Sequence, residues 1–177
     1  VKQMWDRDLL YEGHRVVPYC ARCGTALSSH EVAQGYQDVV DPSVYVRFPV
    51  LGQDVDLLIW TTTPWTLLSN VAAAVGPEID YVQLVAEGDE RPLVMAQAAA
   101  DRLFPDAPRT PVGTGADLVG WRYRRPFEHV PLPEGADAHR VVAAAFVATD
   151  DGSGIVHLAP AFGEDDAAVG RSEDLPV

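Results

Sequence analysis

Two short stretches concentrate the side chains able to do chemistry. The first, Trp60-Thr61-Thr62-Thr63-Pro64-Trp65-Thr66, packs four threonines and two tryptophans into seven residues, directly after the apolar run Leu57-Leu58-Ile59. Threonine is a good strand former, so these are readable as ordinary β-residues. Yet side chains alternate across a strand, and three threonines in a row put hydroxyls on both faces. One face should be core, where an unpaired hydroxyl is costly. Pro64 stops the strand at once, which sets the hydroxyls at its mouth, free to donate to and accept from a bound polar ligand. The second stretch, Gly152-Ser153-Gly154-Ile155-Val156-His157-Leu158-Ala159-Pro160, runs on through Ala161-Phe162-Gly163-Glu164-Asp165-Asp166. His157 shares a strand face with Ile155, and Asp166 falls in the first turn of a predicted helix. Taken alone, each has a plain alternative: a satisfied core histidine, and a helix-start acid favoured by the dipole. Ser153 lacks the surroundings of a nucleophile elbow. No Ser–His–Asp arrangement and no glycine-rich phosphate loop is legible.

These side chains need elements to hold them. Val44–Phe48 alternates as a strand, Leu57–Thr62 reads as a more buried one, and Val71–Val75 as a third. Residues 81–97 predict a hairpin with Gly88-Asp89 near its tip. The stretch from Ala96 to Phe104 predicts a helix, and residues 105–120, rich in Pro and Gly, an irregular loop. Residues 140–160 read as strand, tight turn, strand, and Gly163–Ser172 as a short helix. Residues 1–35 form an outer segment and 36–177 the main domain. Many short strands with few helices predict a mainly β fold: a closed or nearly closed β-barrel with a few peripheral α-helices.

The chain has 177 residues, 47% hydrophobic, enough for one substantial core. It begins with Val and stops at Leu175-Pro176-Val177, which predicts a piece of a larger protein. No apolar run reaches transmembrane length, so no membrane partner is expected. Net charge is −13, which argues against a general nucleic-acid-binding surface. The one dense basic cluster, Arg122, Arg124 and Arg125 beside Trp121 and Tyr123, is either a solvated segment or a local phosphate contact. The only cysteines, Cys20 and Cys23, form a C-x-x-C pair, too few for a secreted disulfide framework, so a cytoplasmic location is expected. Zinc in a structural site takes four ligands, of which two thiolates are half. His14 and His30 lie nearby, but their spacing is not that of a standard finger. Two incidental surface thiols are the alternative.

The threonine block and the block from Gly152 to Asp166 together, in this order and separation, resemble the inserted editing domain of isoleucyl-tRNA synthetase. The stretches Tyr19–Val32 and Asp41–Pro49 are similar to that family's approach to the insertion, so the resemblance covers nearly the whole chain, most weakly over residues 83–140. Valyl and leucyl relatives carry Thr-Thr-Arg-Pro where this chain has Thr61-Thr62-Thr63-Pro64. Leu68 departs from the family's usual proline. The resemblance implies hydrolysis of valine mischarged onto tRNA(Ile), with the pre-transfer valyl-adenylate as a second candidate substrate. A related valyl-type editing domain, or a module that only docks the tRNA acceptor end, is the alternative. It implies that Thr61, Thr62 and Thr63 line the catalytic pocket with Trp65 and Asn70, that Asp166 holds the substrate's α-ammonium, and that His157 borders the side-chain pocket. Editing itself needs no cofactor. Cys20 and Cys23 would be half of a split zinc knuckle, completed by a downstream pair in the parent. The implied partners are the aminoacylated 3′ end of tRNA and the rest of a monomeric synthetase in cis. The aminoacylation signatures His-x-Gly-His and Lys-Met-Ser-Lys-Ser are absent, so the fragment is not expected to aminoacylate.

Overall fold

Residues Val1–Asp38 form a unit of their own, apart from a second unit, Val39–Val177, in a computed structural model that describes residues 1–13 and 15–177. The first unit holds a one-turn helix α1 (Lys2–Trp5), a hairpin of β1 (Tyr19–Cys20) with β2 (Thr25–Ala26), and helix α2 (Ser29–Ala33). Gly24, at φ 68°, turns the hairpin, and its N–H donates to the Cys20 carbonyl (2.8 Å). Ser28 and Glu31 form a capping box that starts α2, Ser28 N–H donating to the Glu31 carboxylate (2.8 Å).

The second unit contains β3 (Val44–Pro49), β4 (Asp56–Thr61), β5 (Ala72–Val75), β6 (Asp80–Leu84), β7 (Leu93–Ala96), helix α3 (Gln97–Leu103), β8 (Arg109–Thr114), helix α4 (Gly115–Leu118), β9 (Arg140–Ala143), β10 (Ile155–Leu158) and helix α5 (Glu164–Ser172). A 3₁₀ helix, Pro64–Ser69, follows β4. Five strands form one sheet in the order β3-β4-β7-β6-β8, and three form another in the order β10-β5-β9. The expected β-barrel is therefore corrected. The fold is mixed α/β, about 26% strand and 20% helix, with several sheets and none closed. The reason lies in segments between the sheets. Residues 122–123 make only single bridges, Val50 to Tyr123 and Arg122 to Arg140. Pro126, Pro131 and Pro133 follow at once, and proline cannot donate to a ladder.

Two further expectations change. Residues 140–160 are not a hairpin: β9 and β10 both pair with β5, parallel and antiparallel respectively. The supposed loop 105–120 contains β8 and α4. Pro111 and Gly113 disguised that strand. It tolerates them because it is an edge, paired only with β6 across a register shift at Tyr81/Val82. The 81–97 hairpin forms as expected, with Leu84 opposite Leu93.

The all-small strand β5 separates two cores. Ala73 and Val75 face the larger one, with Phe48, Leu57 and Ile59, while Ala72 and Ala74 face a smaller one with Val142 and Leu158. This is the two-residue alternation of a strand buried on both sides. Strand β10 obeys it too, since Ile155 belongs to the larger core and Leu158 to the smaller. His157 thus takes the Ile155 side. No helix among the described residues is long and apolar enough to cross a membrane.

Candidate active site

Strand β4 ends where the threonines begin. Thr61 is its last residue, and its buried hydroxyl accepts a hydrogen bond from Thr63 N–H (3.0 Å). Pro64 then opens the 3₁₀ helix at a position that needs no backbone donor. The spacing of that helix brings Thr66 under Thr63, and the Thr66 hydroxyl donates to the Thr63 carbonyl (2.8 Å). Leu68 sits within the same 3₁₀ helix.

A cleft of about 380 Å³ opens beside this turn, and its walls include Thr61, Thr62, Thr63, Trp65, His157 and Asp166. That volume suits a small polar substrate. Two segments far apart in sequence, one after β4 and one after β10, are thereby joined. Trp65 and Phe162 are largely exposed at the rim, 67% and 58%. Trp60 forms part of the wall. Its ring lies against the turn at Gly152, where an added Cβ would come 2.7 Å from it.

His157 is 5% exposed and stands opposite Ala73 in the β10–β5 pair. Its Nε2 lies 3.0 Å from the Thr66 hydroxyl. That hydroxyl already spends its proton on the Thr63 carbonyl, so Nε2 must carry the hydrogen and donate. The other ring nitrogen, Nδ1, is then a buried acceptor, and it has no partner among the described residues. Burial lowers the His157 pKa to about 4, so the ring is neutral at pH 7. The hydroxyls continue the chain: Thr61 and Thr63 are 3.3 Å apart, as are Thr63 and Thr66.

Asp166 is the third residue of α5, in the acidic first turn behind the N-cap Gly163. Its Oδ2 accepts from Ala159 N–H (2.8 Å), tying the helix back to the end of β10. Gly163 leaves room for this, because a Cβ there would come 3.0 Å from the Asp166 carboxyl carbon. Burial, with the like charge of Asp165 adding a smaller push, raises the Asp166 pKa against the opposing bond from Ala159. Among the described residues, Asp166 is the only charged side chain lining the cleft. Such a site favours a cationic group in the ligand.

Asn70 does not line this cleft. It is buried, its amide donates to the Ala72 carbonyl (2.9 Å), and its oxygen accepts from the Tyr123 hydroxyl (2.7 Å). Sequence reasoning passed over Thr66 and Phe162. The i, i+3 spacing from Thr63 across a proline-started turn was a usable signal for Thr66; nothing local marked Phe162.

At the cysteines, Cys23 N–H approaches Cys20 Sγ at 3.4 Å and lowers the Cys20 pKa. Both thiols are free, and His14 lies outside the described residues. Among the described residues no group of three or more metal-ligating side chains comes together.

The family of tRNA synthetases class I (I, L, M and V) matches residues 1–155, and the chain belongs to it. Within that family, its relatives include the isoleucine–tRNA ligases of Streptomyces coelicolor and Thermobifida fusca, each 50% identical over all of this chain. The chain spans 17% of the length of these relatives. Solved structures that share the fold include GlLeuRS-CP1, with TM-score 0.61, 16% identity, and 74% of this chain and 60% of that one covered. Another is the P. knowlesi cytosolic leucyl-tRNA synthetase editing domain, with TM-score 0.56, 12% identity, and 75% and 64% covered.

Proposed function

We propose that this chain is the editing domain of an isoleucyl-tRNA synthetase and hydrolyses valine esterified to tRNA(Ile). The observation that carries the reading is the cleft itself, in which a lone carboxylate, Asp166, shares the walls with the Thr61–Thr63 hydroxyls and a neutral imidazole. An aminoacyl ester brings one ammonium, one carbonyl and ribose hydroxyls to such a site. Asp166 takes the ammonium in a charge-assisted bond. The hydroxyl wall orients water and steadies the oxyanion as water attacks the carbonyl. Asp166, holding a cation, is not the base. His157 and the threonines bound the side-chain space, admitting valine and excluding isoleucine. A second pocket is needed because one methylene is worth only about 1–3 kcal/mol, a limit whose usual example is isoleucyl-tRNA synthetase itself.

The test is to incubate the protein with valylated and isoleucylated tRNA(Ile). Faster release of valine supports the reading; no release of either, with the fold intact, would leave a docking module. The Cys20–Cys23 turn supplies two thiolates of a tetrahedral zinc site, and the other pair would come from the rest of the synthetase. One tightly held zinc on these 177 residues alone would refute that division.

A further inference from the structure

Trp60 is one wall of the cleft, and the turn of residues 149–154 stands against it. The backbone at Gly152 meets the indole along three contiguous atoms. A Cβ there would come 2.7 Å from Cε3, 2.8 Å from Cδ2 and 3.1 Å from Cγ. Glycine is required twice over, by this approach and by a φ of 66°. The position of the indole therefore depends on where the turn is held.

Connecting segments are ordinarily more mobile than the elements they join. In this one, four backbone carbonyls are tied down. The Ser153 carbonyl accepts from Ala96 N–H at the end of β7 (2.9 Å). The Gly154 carbonyl accepts from the buried Tyr81 hydroxyl (2.6 Å), which itself accepts from Gly76 N–H (3.1 Å). The outer part of the turn is held by a single side chain. Arg102, in the last turn of α3, donates from Nη1 to the Thr149 carbonyl (3.1 Å) and from Nη2 to the Gly152 carbonyl (2.5 Å). Among the described residues no other hydrogen bond reaches either carbonyl. The planar fork of a guanidinium can span two acceptors at once, which a lysine ammonium does less well. Arg102 itself does not line the cleft.

We infer that Arg102 is a positioning residue for the cleft: it staples the Gly152 turn, and the turn sets the depth of the Trp60 wall. This rests on the proposed editing function. Trp60 carries neither the ammonium anchor nor the hydroxyls that orient water. Its displacement therefore weakens binding of the ester rather than the chemical step, and the loss falls on KM.

The test is a double-mutant cycle on hydrolysis of valylated tRNA. Arg102 is exposed and methionine is a good helix former, so Arg102→Met removes the staple without breaking α3. It should raise KM about fivefold, with kcat changed less than about twofold. Arg102→Lys, which can still donate to one carbonyl, should recover part of the loss. In a Trp60→Ala background Arg102→Met should raise KM no further, because the residue it acts through is gone. An unchanged KM in Arg102→Met would overturn the inference. So would equal rises in both backgrounds, since the arginine would then act by a route other than Trp60. Acrylamide quenching of the Trp60 emission, taken as the difference between each protein and its Trp60→Phe counterpart, reads the wall without any hydrolysis. Arg102→Met should increase that quenching, and unchanged quenching would also overturn the inference. Failure of the unsubstituted protein to hydrolyse valylated tRNA would instead sink the editing function, and the quenching would still decide whether Arg102 sets the wall.

Discussion

Replacing Asp166 by asparagine separates an ammonium anchor from a structural acid. The substitution keeps the shape and an acceptor for Ala159 N–H, which now donates to Oδ2 at 2.8 Å. It removes only the charge. Two unit charges about 4 Å apart attract by about 4 kcal/mol at an effective dielectric of 20. Asp166 is only partly buried, so screening reduces this to about 2–3 kcal/mol. At 1.36 kcal/mol per decade, kcat/KM for valyl-tRNA should fall about 30- to 150-fold. Stability should move the other way. Burial raises the Asp166 pKa, so this group favours the fold below its unfolded pKa, and that contribution is lost as pH rises through the folded value. Once ionised, the buried carboxylate is a burden on the fold, so above the folded pKa Asp166→Asn should melt no lower than the parent. Single-turnover deacylation and thermal melts on the same preparation read both quantities. Near-parental deacylation by the asparagine variant would refute the anchor, and a large fall in melting temperature would show that Asp166 serves the fold instead.

His157 supplies a pH signature: with its pKa lowered to about 4, its contribution to stability is intact above its unfolded pKa of about 6.5 and is lost as pH falls from there to about 4. Denaturant unfolding across that window should lose on the order of 3 kcal/mol in the parent, and His157→Gln should remove most of the slope. Gly152→Ala should lower stability by about 2 kcal/mol, because φ is 66° and the new Cβ would stand 2.7 Å from the Trp60 ring. A calorimetric scan should show a fall of about 4–8 °C, and an unchanged transition would mean that the turn relaxes freely. Tyr123→Phe strips the buried Asn70 oxygen of its donor and should cost about 1–3 kcal/mol, with little effect on deacylation since Asn70 lies outside the cleft. A large kinetic defect with unchanged stability would return Asn70 to the substrate.

The local elements were legible because each is written in contiguous residues. The alternation of Val44–Phe48, the apolar run into Thr61, the Gly88-Asp89 tip and the alanine-rich α3 need no distant partner to be recognised. The same holds for the two chemistry-bearing blocks, since Pro64 marks the end of one strand and Pro160 the end of another. Strand pairing was a different matter. Periodicity says that Arg140–Ala143 and Ile155–Leu158 are strands, but not that β5 inserts between them; that depends on side chains small enough for two cores to meet across one strand. Barrel closure failed for a related reason, because the segments available to close it are broken by prolines that cannot continue a ladder. At the cleft, sequence supplied the residue types, and only the tertiary structure decided which of them share a wall. It tied Asp166 to Ala159, and it turned Asn70 inward to Tyr123. It also fixed the His157 tautomer through Thr66. Each of these depends on where a buried polar atom finds its partner, and that partner lies as many as 91 residues away along the chain.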